Sequence, residues 1–211
     1  MIFRSLLFLA ICLLTPLYLI ATDTTLSSYF PIAEGLKWNY KVNEEGKTFN
    51  QEVVCKKPYL KGDNDCDFVL ETKSIRKTRY HYKIEHNFIY LLKIDVLWNR
   101  FPVPLTFVFT PAMPVFSLSP FATNTQKWSW KGSITSLLYK RTYNAAFTMT
   151  DDEILKTALG NSKCVKVTVV QSDKHDIERI DSWYAQDIGL VSIYSAKHDK
   201  SITKLLKRGK N

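Results

Sequence analysis

Alternation of aromatic and polar side chains is the feature that most limits how this sequence can fold. In LKWNYKVN, Trp38, Tyr40 and Val42 are separated by single polar residues, and in TRYHYKIEH the residues Tyr80 and Tyr82 repeat the pattern. A period of two places one set of side chains on each face of a strand. The pattern therefore predicts antiparallel strands with one buried face and one face in water.

Segments of this kind continue along the chain and predict a mainly β protein with about nine to eleven strands. The sequence DDEILKTALGN, residues 151–161, has the composition of a short helix, although TALGN also suits a turn. We expect one or two short helices in all. In WYAQDIGLV, Asp187 and Gly189 separate two apolar pairs, which predicts a hairpin in which Gly189 adopts a positive φ.

The middle of the chain differs from the rest because it is rich in proline. Residues 101–121 carry five prolines and no charged side chain. Proline removes a hydrogen-bond donor from a strand, so the segment is not expected to form central strands throughout. Two interpretations are open: buried loops that pack on one face of the sheet, or a lip or lid that faces a ligand.

The first 21 residues predict export from the cytoplasm. Arg4 is their only charged side chain, and the uncharged stretch 5–21 contains Pro16. A helix of that length spans roughly 25 Å, less than a hydrocarbon core of ~30 Å. A cleaved signal peptide is therefore favoured, with a membrane anchor through residues 5–21 or a lipoprotein modified at Cys12 as alternatives. All three place the protein in the periplasm or cell envelope.

The formal net charge of +9 is concentrated at the C-terminus. Residues 197–211 contain six lysine or arginine residues and one aspartate. We therefore divide the chain into a β-rich domain over residues 22–196 and a basic tail. The tail is either a solvated end or a peripheral contact with an anionic membrane leaflet. Binding to nucleic acid is not expected, because an exported chain without a recognised motif offers no basis for it.

The cysteines follow from the predicted compartment, since export permits disulfides. Cys55 and Cys66 flank the turn-rich sequence KKPYLKGDND and would face each other if it closes a hairpin. We predict a Cys55–Cys66 bridge, which would stabilise the fold by about 2–3 kcal/mol. Cys164 lies in the strand-like sequence CVKVTVV and is interpreted as a small buried hydrophobic residue.

Catalytic and metal-binding motifs are missing from the sequence. It contains neither a G-x-S-x-G motif nor zinc-ligand spacing, and His81 and His86 would point to opposite faces of one strand. Asp63, Asp65 and Asp67 alternate like calcium ligands, but the glycine and glutamate of a calcium loop do not follow. We expect a solvated acidic turn, no bound metal, no cofactor and no enzyme activity.

Four short motifs, in order, resemble a family of exported bacterial proteins, many of them lipoproteins, of uncharacterised function. FPIAEGLKWNYKV resembles that family's FPL-x-x-G-x-x-W-x-Y opening, and PFATNTQKWSWKG, TALGNSKCVKV and WYAQDIGLV resemble its later motifs. The likeness spans residues 30–195, although LAIC before residue 13 departs from the lipobox that many members have. It implies one strongly curved antiparallel sheet, a half-barrel similar to the periplasmic lipoprotein carriers, which hold acyl chains on a concave face.

These observations favour a non-catalytic protein that binds an apolar ligand: a lipid, an acyl chain or a hydrophobic segment of a partner. The alternative is a structural or interaction subunit of the cell envelope with a filled core. An enzyme would need a cluster such as Cys164 or Asp176 beside a histidine. The residues expected to form the apolar ligand-binding face are Trp38, Tyr40, Phe107, Phe109, Phe116, Trp128 and Trp130.

Overall fold

The structure is a computed structural model that describes residues 26–44, 46–58, 65–74, 76–97, 103–119, 124–137, 139–157, 160–173, 176–195 and 200–210. A 3-10 turn at Leu26–Tyr29 precedes twelve strands. These are β1 Leu36–Glu44, β2 Lys47–Lys56, β3 Phe68–Lys73, β4 Lys77–Glu85, β5 Phe88–Leu97, β6 Leu105–Ser117, β7 Thr125–Ser136, β8 Tyr139–Thr157, β9 Gly160–Ser172, β10 Ile177–Ala185, β11 Gly189–Ser195 and β12 Lys200–Lys210. None of these described ranges contains a helical segment with the length and hydropathy of a membrane span.

Every strand pairs antiparallel with the next strand along the chain, and β12 pairs with β1, so the hydrogen-bonded order is a ring. The predicted class, a mainly β protein built on one antiparallel sheet, is confirmed. The predicted half-barrel of nine to eleven strands needs correction, because the sheet has twelve strands and its pairing closes. The closing strands come from the two ends of the described chain, and no local pattern reveals such a contact.

Because neighbouring strands run in opposite directions, their connections alternate between the two ends of the barrel. The β1–β2, β3–β4, β5–β6, β7–β8, β9–β10 and β11–β12 connections lie together, and we call this the mouth end. The remaining connections lie at the opposite end, together with the N-terminal segment 26–35. We call this the plug end.

The weakest junction of the ring lies between β6 and β7, which share three residue pairs. Beyond them β6 contains Pro111 and Pro114, which have no N–H to donate. Two tryptophans of β7 compensate: the indole N–H of Trp128 donates to Pro114 O at 2.9 Å, and that of Trp130 donates to Pro111 O at 3.0 Å. The proline-rich segment is therefore largely a strand that pairs with β5 through its backbone and is joined to β7 in part by tryptophan side chains, and it forms neither buried loops nor a lid.

Gly132 allows this junction to form. A Cβ atom at this position would lie 2.7 Å from the carbonyl oxygen of Thr110 and would overlap the indole of Trp130. Only a residue without a side chain lets the Trp130 ring lie against its own strand while its N–H reaches β6.

Three other local predictions have clear outcomes. Asp151–Thr157, where a short helix was expected, continues β8, because its backbone pairs with the first half of β9. The hairpin around Gly189 is confirmed, with Ala185 paired to Gly189 at a φ of 91°. The predicted tail is partly a strand: Lys200–Lys210 forms β12 and pairs with both β1 and β11. The domain therefore extends beyond residue 196.

The interior is filled unevenly. Between β5 and β9 it is packed with apolar side chains, and we call this the packed half: its central residues are Leu91, Phe109, Trp130, Ala145 and Phe147, all at most 8% exposed. Trp128 stacks on Phe147 with a ring-centroid distance of 5.3 Å. The interior beside β1–β4, β10 and β11 contains a buried core that includes Trp38 and Phe68, but it also holds a cavity, and we call this the cavity half.

Candidate ligand-binding cavity

The cavity has a volume of about 740 Å³ and extends along the inner face of the cavity half. Its wall is aromatic and aliphatic near the plug end and polar near the mouth end. The apolar lining residues are Phe30, Pro31, Trp38, Tyr40, Val42, Phe49, Val53, Leu70, Tyr80, Tyr82, Tyr184, Leu190 and Ile193. The polar lining residues are Glu44, Lys47, Gln51, Thr72, Ser74, Arg76 and Thr78.

Phe30 closes the cavity at the plug end. Its ring centroid lies 6.0 Å from Phe68, 6.2 Å from Tyr82, 5.6 Å from Phe116 and 5.7 Å from Tyr184. Four aromatic contacts at such distances place the ring in a well-defined site. The chain thus enters the domain by inserting an aromatic side chain between strands from opposite sides of the barrel, and this gives the plug end its name.

Neighbouring contacts hold the plug segment against the β10–β11 hairpin. The N–H of Asp187 donates to Ser28 O at 2.8 Å. Pro31 lies so close to Gly189 that a Cβ there would be 3.2 Å from its ring, and the positive φ of Gly189 also disfavours a side chain. The glycine predicted as a turn residue therefore has a second role, which is to give the plug segment room.

Trp38 and Tyr40 of β1 reach across the inner face to β11 and its hairpin. The indole N–H of Trp38 donates to Ile188 O at 2.7 Å, and the hydroxyl of Tyr40 donates to Leu190 O at 2.9 Å. Both residues are at most 5% exposed, so leaving these polar groups unpaired would be costly. Their polar atoms are thus satisfied by the protein, and their rings present apolar surface to the cavity.

Further tyrosines bring phenol groups to the same wall. Burial raises the pKa of Tyr82 and Tyr184 well above the ordinary value of 10.0, and burial also raises the pKa of Tyr80. All three remain neutral at physiological pH, so each keeps a hydroxyl that can both donate and accept a hydrogen bond. The middle of the cavity therefore suits an uncharged, weakly polar part of a ligand.

Among the lining residues whose side chains the structure describes, charged groups occur only where the cavity meets the mouth end. Glu44 and Lys47 flank the β1–β2 turn, and Arg76 precedes β4. Lys47 and Arg76 are exposed. The lining therefore changes from aromatic to uncharged polar to charged along one direction, which matches the polarity of an amphiphile with an acyl or aromatic body and a polar end.

The structure separates the residues expected to form the ligand-binding face. Trp38 and Tyr40 line the cavity. Phe109, Trp128 and Trp130 lie in or against the packed half. The other two also have packing partners: Phe116 is fully buried against Phe30 and Tyr184, and Phe107 contacts the ring of Tyr139 at 6.4 Å. Periodicity identified inward-facing residues, but it could not show which part of the interior is filled.

The predicted Cys55–Cys66 disulfide is absent, and all three described cysteines are buried. Cys55 pairs with Leu70, which lines the cavity, and it belongs to the interior core. Cys66 lies outside the sheet, with its sulfur 3.9 Å from Nδ1 of His81. The sheet thus separates the two sulfurs. Cys164 is fully buried, as predicted, in a small cluster with Ala185 and Val191.

Cys66 belongs to a buried polar chain that the sequence did not reveal. Nε2 of His81 donates to Asp95 at 2.8 Å, and the hydroxyl of Thr106 donates to the same carboxylate at 2.6 Å. Burial raises the pKa of Asp95, but these two hydrogen bonds outweigh burial and the net shift is downward. His81 alternates with cavity-lining Tyr80 and Tyr82, so this chain lies on the outer face, away from the cavity.

A second outer-face cluster surrounds Glu71, whose side chain is completely buried. Lys56 and Lys77 contact its carboxylate at 2.8 and 2.9 Å, and Arg79 contacts it at 2.9 Å. Burial raises the pKa of Glu71, but the hydrogen bonds from the three cations outweigh burial and lower it to about 2. The four residues come from three adjacent strands, so only the strand register could have predicted the cluster.

The acidic turn is partly visible. Asp67 accepts the N–H of Ile84 at 2.6 Å, which makes it a bridge between the β2–β3 connection and β4. Asp63 lies outside the described residues. Among the residues that the structure describes, no three His, Cys, Asp or Glu side chains are grouped so that they could hold a metal ion.

Comparisons with known proteins add little to this description. No protein-family model matches the chain, and no curated protein matches it. A proposed lipoprotein from Parabacteroides distasonis ATCC 8503 is 15% identical, with a TM-score of 0.41, over 89% of this chain and 100% of that one. A proposed exported protein with a YmcC-like fold from Bacteroides fragilis NCTC 9343 is 12% identical, with a TM-score of 0.32, over 86% and 98% of the two chains. Neither TM-score is high enough to establish a shared fold or function.

Proposed function

We propose that this chain is an exported, non-catalytic protein of the cell envelope whose cavity binds an apolar ligand with a polar or anionic end. The observation that carries the proposal is the graded lining of the cavity, which is aromatic at the plug end and charged at the mouth. The apolar leader in residues 1–21 supports the location. Those residues lie outside the described part of the chain.

The size of the cavity supports a single small amphiphile. Its volume of about 740 Å³ lies within the range of roughly 300–1,000 Å³ that is typical of ligand pockets. From Trp38 to Glu44 the lining follows β1 for roughly 20 Å at about 3.3 Å per residue. That length suits an extended acyl chain whose head group lies near Lys47 and Arg76.

A lipophilic dye tests whether the cavity is a binding site. Leu70→Trp fills the cavity wall, whereas Val170→Trp adds the same side chain on the outer face of β9, where Val170 is 39% exposed. We expect Leu70→Trp to weaken binding of a neutral naphthylamine dye by about tenfold or more, and Val170→Trp to leave it unchanged. Equal binding by both variants would place the dye elsewhere and overturn the proposal.

The polar end of the ligand can be tested separately with Lys47→Glu. This exposed side chain lines the mouth, so reversing its charge should weaken binding of a long-chain fatty acid by about fivefold. Binding of the fatty alcohol with the same chain length should not change, because the alcohol carries no charge. A parallel loss for acid and alcohol would show that Lys47 does not recognise charge.

The alternative, an interaction subunit of the envelope without a small ligand, is favoured by the solid packing between β5 and β9. If the cavity serves no ligand, filling it should only increase stability, since an empty cavity lowers the free energy of unfolding. Under this alternative Leu70→Trp is more stable than the wild type and supports growth equally well. Under the proposed function the same variant does not support growth as well as the wild type.

A further inference from the structure

Three of the four most exposed aliphatic side chains among the described residues lie at one end of the barrel, and the fourth, Ile154, lies on β8 near the other end. Leu137 is 92% exposed, Val103 is 71% exposed and Ile177 is 70% exposed. Leu137 lies in the β7–β8 connection, Val103 lies in the β5–β6 connection two residues before β6, and Ile177 begins β10. The three therefore project from consecutive connections of the mouth end, the end at which the cavity is charged and exposed.

Hairpin tips are usually polar, because glycine, asparagine, aspartate and serine provide the backbone conformations that turns need. Large aliphatic side chains at three successive tips gain nothing from the fold when they are in water, and clustered exposed apolar groups are typical of interaction sites. The same end also carries cations: Lys47, Arg76 and Lys140 are all exposed.

The plug end carries both signs of charge. Asp65, Asp67, Glu85 and Asp187 are exposed in its connections, but so is Lys57, and the basic end of β12 pairs with the start of β1 there. Charge alone therefore does not select an end, and the mouth end is favoured because its exposed cations lie beside exposed apolar side chains. Apolar tips among cations are also the combination that inserts into an interface between lipid head groups and acyl chains.

We propose that the mouth end docks on an anionic lipid bilayer, with Val103, Leu137 and Ile177 inserted at the acyl boundary and the basic side chains among the head groups. This inference rests on the proposed function, because docking would place the mouth of the cavity against the source of an amphiphilic ligand. It assigns the docking surface to the hairpin tips and not to the C-terminal strand β12.

Vesicle flotation tests the docking surface with a matched pair of variants. Leu137→Asp places a charge at the mouth end, and Ile154→Asp places one on β8 near the plug end, where Ile154 is 74% exposed. With phosphatidylcholine vesicles that contain phosphatidylglycerol, we expect Leu137→Asp to bind about tenfold more weakly than the wild type, and Ile154→Asp to bind like the wild type. Binding should also weaken with salt and with vesicles of phosphatidylcholine alone.

A fluorescence readout tests insertion without loss of an apolar group. The emission of Leu137→Trp should shift to shorter wavelength when anionic vesicles are added, relative to the wild type, and that of Ile154→Trp should not. The proposal is overturned if the wild type does not float, if the two aspartate variants behave alike, or if Ile154→Trp shows the shift. Dye binding by Leu137→Asp in solution separates the two claims: retained dye binding with lost flotation leaves the cavity function intact.

Discussion

The two halves of this barrel differ in how completely the interior is filled and in what joins the strands on the outer face. In the packed half the interior is filled, and rings such as Trp128 and Phe147 stack across it. In the cavity half the interior is partly empty, and β2, β3 and β4 are joined on the outside by the buried carboxylate of Glu71 and its three cations. Ion pairs on the outer face can stabilise these strands without filling the interior beside them. The sheet can therefore fold and still keep a cavity on its inner face.

Removal of an interior ring should therefore have very different effects in the two halves. Phe147→Ala removes a fully buried side chain of the packed half and should lower the free energy of unfolding by about 3–5 kcal/mol. Phe49→Ala removes a half-buried ring that lines the cavity and should cost only about 1–2 kcal/mol, because the space is already accessible. Urea denaturation measures both, and equal losses would contradict the division into halves.

The ion cluster around Glu71 should contribute nearly as much to the free energy of unfolding as an interior ring. Glu71→Gln leaves Lys56, Lys77 and Arg79 crowded around an uncharged group, and we expect a loss of about 3 kcal/mol. The matched control is Glu52→Gln, which removes a partly exposed carboxylate with contacts of 3.6 and 4.0 Å on the same face, and it should cost less than about 1 kcal/mol.

Acid should weaken the ion cluster around Glu71 in a defined pH window. The pKa of Glu71 is about 2 in the folded protein and is ordinarily 4.5, so its contribution is complete above the ordinary value and is lost as pH falls towards 2. The stability difference between wild type and Glu71→Gln should shrink over this range. A difference that stays constant down to pH 2 would show that the carboxylate is not held by its charge.

The junction between β6 and β7 should respond to a single methyl group. Gly132→Ala places a Cβ against Thr110 and the Trp130 ring, and it should destabilise the protein by about 1–3 kcal/mol. The near-ultraviolet circular dichroism of the tryptophans should change as well. Gly46→Ala offers a contrast in which no neighbour is contacted, so its effect should come from the positive φ alone. An unchanged tryptophan spectrum in Gly132→Ala would contradict the conclusion that Gly132 makes room for the Trp130 ring.

The prediction with the smallest expected effect concerns the reactivity of the cysteine thiols. Burial raises the pKa of Cys55 and of Cys164 to about 11, so both thiols should react slowly with iodoacetamide in the folded protein at neutral pH. Peptide mapping under non-reducing conditions should find no disulfide-linked peptides among Cys55, Cys66 and Cys164. A linked Cys55–Cys66 peptide would restore the disulfide that the sequence predicts and would require Cys66 to leave His81.

The class of fold could be predicted from the sequence because it depends on local periodicity. Trp38, Tyr40 and Val42 alternate in the sequence, and all three line the cavity. The same reasoning failed for Asp151–Thr157, where a helical composition is overridden by pairing with β9. Closure of the ring depends on contacts between β12 and β1, and local sequence patterns carry no information about contacts so distant along the chain.

The site could be predicted only in part, for a similar reason. Alternation shows that Trp38 and Trp130 both face inward, but it does not show that Trp38 lines a cavity whereas Phe109 and Phe147 share a cluster with Trp130. Glu71 and His81 look like ordinary residues of a solvated face. Their partners are supplied by neighbouring strands whose register is a property of the whole sheet.

Native mass spectrometry of the protein purified from its own host tests the central claim most directly. The wild type should carry a co-purifying apolar molecule in one-to-one ratio, Val170→Trp should carry it equally, and Leu70→Trp should have lost it. A wild-type protein without any bound molecule, together with unimpaired dye binding by Leu70→Trp, would contradict the account and show that the cavity half is not a ligand site.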